Sequence, residues 1–416
     1  MIAVSLFLPE EISARVQGLY LSPARVIFLV LTPILLIRFG QKITSGRYRF
    51  VYSDLFVPTL GVWMIVSFAQ TNGLQDALQH AGPLVLEFCI GYFSVRLLLS
   101  EQGQAISLVN VLCWAIAVTG CLALLDTMTG QFFVHRLVQF VFPGRLEAVP
   151  EFRYGLVRAA STNGHPILFG TACAIGFLLS LAIPTRGFVK FGCALGALLA
   201  LSAAPLQAAF IGLGLLFYGR MTAGTRLRWG ALIALGAVSF LMLVMSLDRP
   251  FSFICNHFTF DEESCFFRIY IWQTGGDAAM ASPWFGYGFL VPEDFNVPGT
   301  VDAVWLEMAL EFGIPASILL ALSLIGATSR PITGTRVYLT STASELGTML
   351  GILVFLITLV GFTVHYWGND WILIAVVIGI RAHLGELGNV AQAHSPAGFP
   401  KERADPKGVF VARKSN

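Results

Sequence analysis

What most limits the fold of this chain is a series of apolar runs, spread along almost its whole length. Each is close to the ~20 residues that a helix needs to cross a bilayer. The 416 residues are 56% hydrophobic and only 12% charged, where a soluble domain carries about 25% charge. The fold class expected is therefore all-α, a polytopic transmembrane helical bundle. Spans are predicted at about 24–39, 55–70, 82–99, 105–126, 166–183, 188–203, 205–218, 229–246, 303–326, 346–364 and 369–385. That makes about eleven, or twelve if the apolar but short start, residues 1–9, also crosses. This start has no basic leader and no cleavage site, so no signal peptide is expected. The break at Ala204-Pro205 is the least defined boundary.

Basic residues orient the bundle. With the C-terminus in the cytoplasm, eight of the 26 Lys and Arg fall outside: Arg15, Arg25, Arg136, Arg145, Arg153, Arg158, Arg249 and Arg268. None of the eight is lysine, and every inner loop obeys the rule. Residues 1–385 are expected to form one membrane domain with two large outer loops, 127–165 and 247–302. The polar segment 386–416 is expected to be a disordered cytoplasmic tail. The net charge of +2 says nothing about partners. Five of the seven cysteines fall in spans as small apolar residues. Cys255 and Cys265 share an outer loop, where an oxidising compartment would let them pair.

The two outer loops hold charge that a membrane protein has little reason to place there without an anion to bind. In the first, Phe133, Leu137 and Val141 share one face of QFFVHRLVQFVF, and Gln131, His135 and Gln139 another. This segment is expected to lie flat as an interfacial helix. Arg145, Arg153 and Arg158 follow, then Ser161, Asn163 and His165. Pro166 suits the first turn of the next span, whose outward N-terminus would welcome an anion. In the second loop, Arg268 lies on a helix that is expected to end near Gly275-Gly276. An aromatic turn, Ser282 to Gly288, leads to a span beginning near Asp302. Arginine offers phosphate a planar fork of donors that stays charged. Taken singly, each arginine would more often be an ion pair with Glu151, Asp261, Glu262 or Glu263. Arg158 and Arg268 together point to a diphosphate site.

Other residues carry less. Glu87 is an intramembrane carboxylate, either functional or the partner of a loop arginine. His80 and His365 fall on outer connections. No His, Cys or carboxylate cluster has metal-ligand spacing. There is no phosphate-cradling glycine loop, no nucleophile elbow and no nucleic-acid patch, so neither a cofactor, a metal nor a nucleic acid is expected.

Three pieces resemble the O-antigen ligase-like membrane protein family, which includes bacterial O-antigen and exopolysaccharide polymerases. They are Arg158 with Asn163-Gly164-His165-Pro166 and Gly170; Arg268 and Trp272 with Ser282-Pro283-Trp284-Phe285-Gly286-Tyr287-Gly288; and Val301-Asp302, Trp305-Leu306 and Phe312-Gly313-Ile314-Pro315. With the topology, the resemblance covers residues 20–385. It implies a metal-independent, inverting glycosyltransferase in the bacterial inner membrane, acting at the periplasmic face. Its substrate would be a glycan on undecaprenyl diphosphate. Arg158 and Arg268 would hold the diphosphate; Asn163, Arg153 and Arg145, in the same outer loop as Arg158, are further candidate substrate-binding residues. A flippase and a chain-length regulator would be its partners, together with membrane lipid. Ligases of the family carry a histidine before the span that starts here at Asp302. This chain has Val301-Asp302-Ala303, which resembles the polymerases. The general base stays open among Asp302, His165 and none. Polymerisation of lipid-linked repeats is the function expected, with ligation as the alternative. From another class, a lipid-linked oligosaccharide flippase or transporter would rely on Glu87. Nearly clean spans and charge gathered in two unequal outer loops argue against that class.

Overall fold

A computed structural model of the protein describes residues 7–9, 12–16, 19–46, 48–142, 149–225, 227–246, 255, 262–329 and 340–393. A short ribbon, β1 (Ala14–Val16) with antiparallel β2 (Leu19–Leu21), precedes α1 (Pro23–Thr44). Then follow α2 (Tyr52–Asn72), α3 (Leu74–Leu98), α4 (Gln102–Thr129) and α5 (Phe133–Val141). A second ribbon, β3 (Phe152–Arg153) and β4 (Leu156–Val157), leads into α6 (Pro166–Ala182), α7 (Gly187–Leu199), α8 (Ala203–Met221) and α9 (Arg228–Ser246). The remainder is α10 (Glu262–Ala281), α11 (Val304–Phe312), α12 (Ile314–Thr328), α13 (Ser341–Val360) and α14 (Gly368–Ala393). Among the described residues, α1, α2, α3, α4 and α13 are long and apolar enough to cross a membrane, and α6, α7 and α12 are shorter apolar helices. A helical multi-pass membrane protein fits; a count of eleven or twelve spans does not follow from these lengths.

Two helices form the centre. Nearly every side chain of α6 is buried, as is the run Trp371–Ile378 of α14. Around them α3 packs on α14, α2 on α3 and α12, and α4 on α7. The α4–α7 contact is a backbone approach. A Cβ on Gly120 would run into the Gly192 carbonyl, and one on Gly196 would meet the Gly120 Cα at 2.9 Å. Gly192 and Gly196, four apart, supply the small-residue stripe that lets membrane helices close on each other.

Four expectations change. Helix α10, expected to end near Gly275-Gly276, runs through both glycines to Ala281. The span placed at 303–326 is broken at Gly313, where φ is +83°. An apolar count does not see this break, because the residues on both sides are hydrophobic. Residues 386–393, expected in the tail, continue α14, and Glu386 is buried because Arg96 binds it. Arg96, which the orientation count puts on the cytoplasmic side at the inner end of the span expected at 82–99, lies inside α3 and is fully buried. The chain does break between α7 and α8, at residues 200–202, and Pro205 sits in the first turn of α8, where a missing N–H costs little. Arg145, Arg249 and residues 394–416 lie outside the described residues.

Candidate active site

The loop before α6 is held from both sides. Tyr154 and Gly155, both with positive φ, turn the β3–β4 ribbon, in which Arg153 faces Leu156. The turn sets the Arg158 N–H on the Glu151 carbonyl at 2.8 Å and the Arg158 guanidinium on the Glu151 carboxylate. The segment from Ala159 to Asn163 is buried. Its anchor is Asp126, whose carboxylate accepts the N–H groups of Ala160 (3.1 Å), Ser161 (2.8 Å) and Phe133 (2.9 Å). Ser161, at φ +52°, donates through Oγ to the Thr119 carbonyl. Helix α5 packs here too: His135 lies 2.9 Å from the Asn163 carbonyl, while Leu137, Phe140 and Val141 stay exposed. The apolar face of this short helix is thus free to meet lipid, as its pattern suggests.

His165 is the N-cap of α6. Its Nδ1 accepts the Ile167 N–H at 3.2 Å, and its Nε2 points to Glu151 Oε1 at 3.4 Å. With Nδ1 used as an acceptor, the ring carries its proton on Nε2 and is a donor toward Glu151. Its lone pair is turned to the backbone, a poor arrangement for a base. The hydrogen bond from His165 pulls the Glu151 carboxyl down to about 2, helped by the Arg158 charge and opposed by partial burial. Burial pulls the Arg158 guanidinium below its ordinary value and Glu151 opposes this; the positive charges of Arg153 and Arg268 act with burial. Arg153, Arg158 and Arg268 line one cavity, close enough to repel one another.

Arg268 reaches this place from α10. Its Nη1 bonds Ser264 Oγ, one turn earlier, at 3.0 Å. Cys265 forms a disulfide with Cys255, Cα atoms 5.5 Å apart, so the start of α10 is stapled. Asp302 stands just before α11. The aromatic turn has a structural task that its composition does not reveal. Tyr287 and Gly288 donate their N–H groups to the carbonyls of Leu310 (2.7 Å) and Glu311 (3.1 Å). Trp63 and Ser67 bond the Phe312 carbonyl, each at 2.9 Å. These contacts satisfy the C-terminus of a nine-residue helix that ends inside the bundle.

Between these parts lies a cavity of about 690 Å³. Arg153, Arg158 and Arg268 line it together with Glu151, His165 and Asp302. Ser202, Ala203 and Ala204 bring the N-terminal turn of α8, a further source of N–H groups for an anion. Phe210 and Ile211 form an apolar wall whose outer side is exposed. Asn163 does not line the cavity: it is buried, and its amide donates to Asp370 Oδ1 at 3.2 Å. Arg153 also bonds the Leu201 carbonyl at 3.0 Å. Glu87 pairs with Arg25 at 2.6 Å, the ion-pair alternative for that residue.

Sequence reasoning passed over the tie between Glu151 and His165, and over Trp367. The Trp367 ring lies 6.0 Å from that of His165 and 5.5 Å from that of His365. His365 is pushed below its ordinary value by burial, against the pull of Glu311 and Asp302. The alternation in Phe-Arg-Tyr-Gly-Leu-Val was a usable hairpin signal. Among the described residues, no group of three His, Cys, Asp or Glu is arranged to hold a metal ion.

The family model described as O-antigen ligase matches residues 188–321. The match supports an O-antigen ligase-like family. It runs from α7 into α12 and so includes Arg268, the aromatic turn and Asp302. Arg158 and His165 precede it and join the site through the fold. Among curated proteins, none matches the chain. The O-antigen ligase-like family carries out glycan processing of the ligase or polymerase type on lipid-linked glycans.

Proposed function

We propose that the protein polymerises undecaprenyl-diphosphate-linked oligosaccharide repeats into O-antigen or exopolysaccharide at the periplasmic face of the inner membrane. One observation carries this reading: Arg153, Arg158, Arg268 and Asp302 meet in one cavity beside an exposed apolar wall. A lipid diphosphate has that same division into a doubly charged head and a hydrocarbon tail.

The step is a single displacement. The acceptor hydroxyl oxygen attacks the anomeric carbon, and the bond from that carbon to the diphosphate oxygen breaks. The electron pair leaves on the diphosphate, where Arg158 and Arg268 stabilise it with the α8 N-terminus. The hydroxyl proton passes to Asp302. His165 serves as a donor to the diphosphate side, in keeping with its proton on Nε2. Glu151 occupies the Arg158 fork, and its side chain is 45% exposed. It is displaced when phosphate oxygens arrive and holds Arg158 in place until then. Diphosphate is a good leaving group, so positioning and charge stabilisation supply most of the catalysis.

The family description favours a second reading, transfer of a finished glycan to a different acceptor. Purified protein given a lipid-linked repeat unit alone separates the two. A ladder of longer lipid-linked glycans supports polymerisation. Reaction only with a second acceptor supports ligation. Transbilayer movement of the repeat with no glycosyl transfer refutes both.

A further inference from the structure

A second cavity, of about 900 Å³, lies at the other end of the bundle. Helix α14 connects the two ends. Asp370, bonded to Asn163 beside the first cavity, and Glu386, in the wall of the second, are sixteen residues apart. At 1.5 Å per residue this is about 24 Å, close to the depth of a hydrocarbon core. The second cavity is framed by the last turns of α1 and α3 and by α14.

Its lining combines cations with a run of leucines. Arg38, Lys42 and Arg49 line it, with Gln41, Gln104 and Ser100 as neutral hydrogen-bonding groups. Beneath them Arg96 is fully buried. Arg96 donates to Asp54 at 2.9 and 2.7 Å, to Glu386, and to the Arg49 carbonyl at 2.9 Å. Glu386 also accepts the Arg49 N–H at 3.2 Å. The two carboxylates are therefore spent on Arg96 and on the backbone of Arg49. Four cations face two carboxylates, an excess of two positive charges.

The cations are placed rather than merely present. Lys42 donates to the carbonyls of Arg96 (3.0 Å) and Leu99 (3.2 Å), which fixes its ammonium over the cavity. The Arg49 backbone is locked into the Arg96 network on both sides. Among the described residues, the side chains of Arg38 and Arg49 make no hydrogen bond or ion pair, so both forks are available. A basic inner surface would satisfy the orientation rule without any such convergence. The apolar part of the lining is Leu97, Leu98 and Leu99. Beside it, α1 exposes Leu36 (67%) and Ile37 (62%), which in a bilayer meet acyl chains.

We propose that this cavity binds a phosphate-bearing anion, the headgroup of an anionic phospholipid in the leaflet opposite the glycan site. Guanidinium forks and an ammonium suit the phosphate, and the leucine wall suits the first segments of the acyl chains. The lipid would bridge α1, the least buried of the long apolar helices, to α3 and α14. This site is independent of the glycan chemistry.

The test is native mass spectrometry of the full chain, exchanged into detergent with equal amounts of phosphatidylglycerol and phosphatidylcholine. Wild type should retain one phosphatidylglycerol in clear preference. Arg38→Gln with Arg49→Gln should lower that preference about tenfold or more, since each basic contact to an anionic headgroup counts. Arg220→Gln removes an exposed arginine at the end of α8, away from the cavity, and should leave the preference intact. If the double variant does not accumulate, Arg38→Gln alone should still lower it about threefold. Glycerol phosphate is the competing probe: displacement of the lipid at equal concentration would overturn the lipid as the source and assign the phosphate to a soluble ligand. Equal retention of the two lipids by wild type, or an unchanged preference in the variants, would overturn the site.

Discussion

Replacing Asp126 by alanine should free the segment that carries Arg158. Asp126 is fully buried, and its carboxylate accepts three backbone N–H groups. Two of them, from Ala160 and Ser161, fix the chain just beyond Arg158. A hydrogen bond to a charged acceptor contributes about 1.5–3 kcal/mol, so these two contribute about 3–6 kcal/mol. Water reaching the released groups recovers part of this, which leaves about 3 kcal/mol. Each 1.4 kcal/mol is a factor of ten. Amide exchange over residues 158–163, read by mass spectrometry, should therefore speed up about a hundredfold. Residues 109–117 in the middle of α4 should keep their protection, which separates local release from unfolding. Glycosyl transfer should fall with it. Asp126→Asn, which keeps one acceptor oxygen, should do about half as much on a logarithmic scale. Unchanged exchange at 160–161 in the alanine variant would refute the anchoring role. Fast exchange with full activity would separate this loop from the chemistry.

Three further outcomes are expected. Cys255→Ser with Cys265→Ser removes a staple worth about 2–3 kcal/mol in the chain-entropy model and should lower activity without abolishing it; full alkylation of both thiols in unreduced, denatured wild type would show that the bond does not form. Asp302→Asn should cost more activity than His165→Gln, because the His165 lone pair already caps α6; wild-type initial rates in Asp302→Asn would mean that Asp302 is only a helix-end residue, since Asn caps equally well. Gly313→Ala meets a positive-φ extended backbone that is essentially glycine-only and costs an L-residue about 1–3 kcal/mol, and its Cβ would also run into the Trp284 carbonyl; a clear drop in thermal stability is expected, and an unchanged Tm would show that the break between α11 and α12 can relax.

Much of the fold was legible because a bilayer leaves few choices. Runs near twenty apolar residues gave the helices, and the amphipathic pattern of residues 131–142 gave α5. The break at Gly313 was hidden, since Phe312 and Ile314 are as apolar as the rest of that run. Buried charge was also misplaced. Arg96 counted only as one more cation on the inner side, because its partners, Asp54 and Glu386, are 42 and 290 residues away. At the site, Arg158, Arg268, Arg153, His165 and Asp302 come together as their residue types suggest. Asn163 does not, because its side chain turns inward to Asp370. The bond between Glu151 and His165 could not be read, since it depends on which ring nitrogen caps α6. The aromatic turn was recognisable by its sequence, but its use in capping α11 was not.

The most direct test of the diphosphate clamp is the initial rate of glycosyl transfer in Arg268→Ala and Arg158→Ala, each at wild-type protein level in the membrane. Both should lose nearly all activity. Arg268→Lys and Arg158→Lys should recover only part of it, because lysine keeps the charge but not the fork. An Arg268→Ala protein that turns over at the wild-type rate would contradict the clamp and, with it, the placement of the reaction in this cavity.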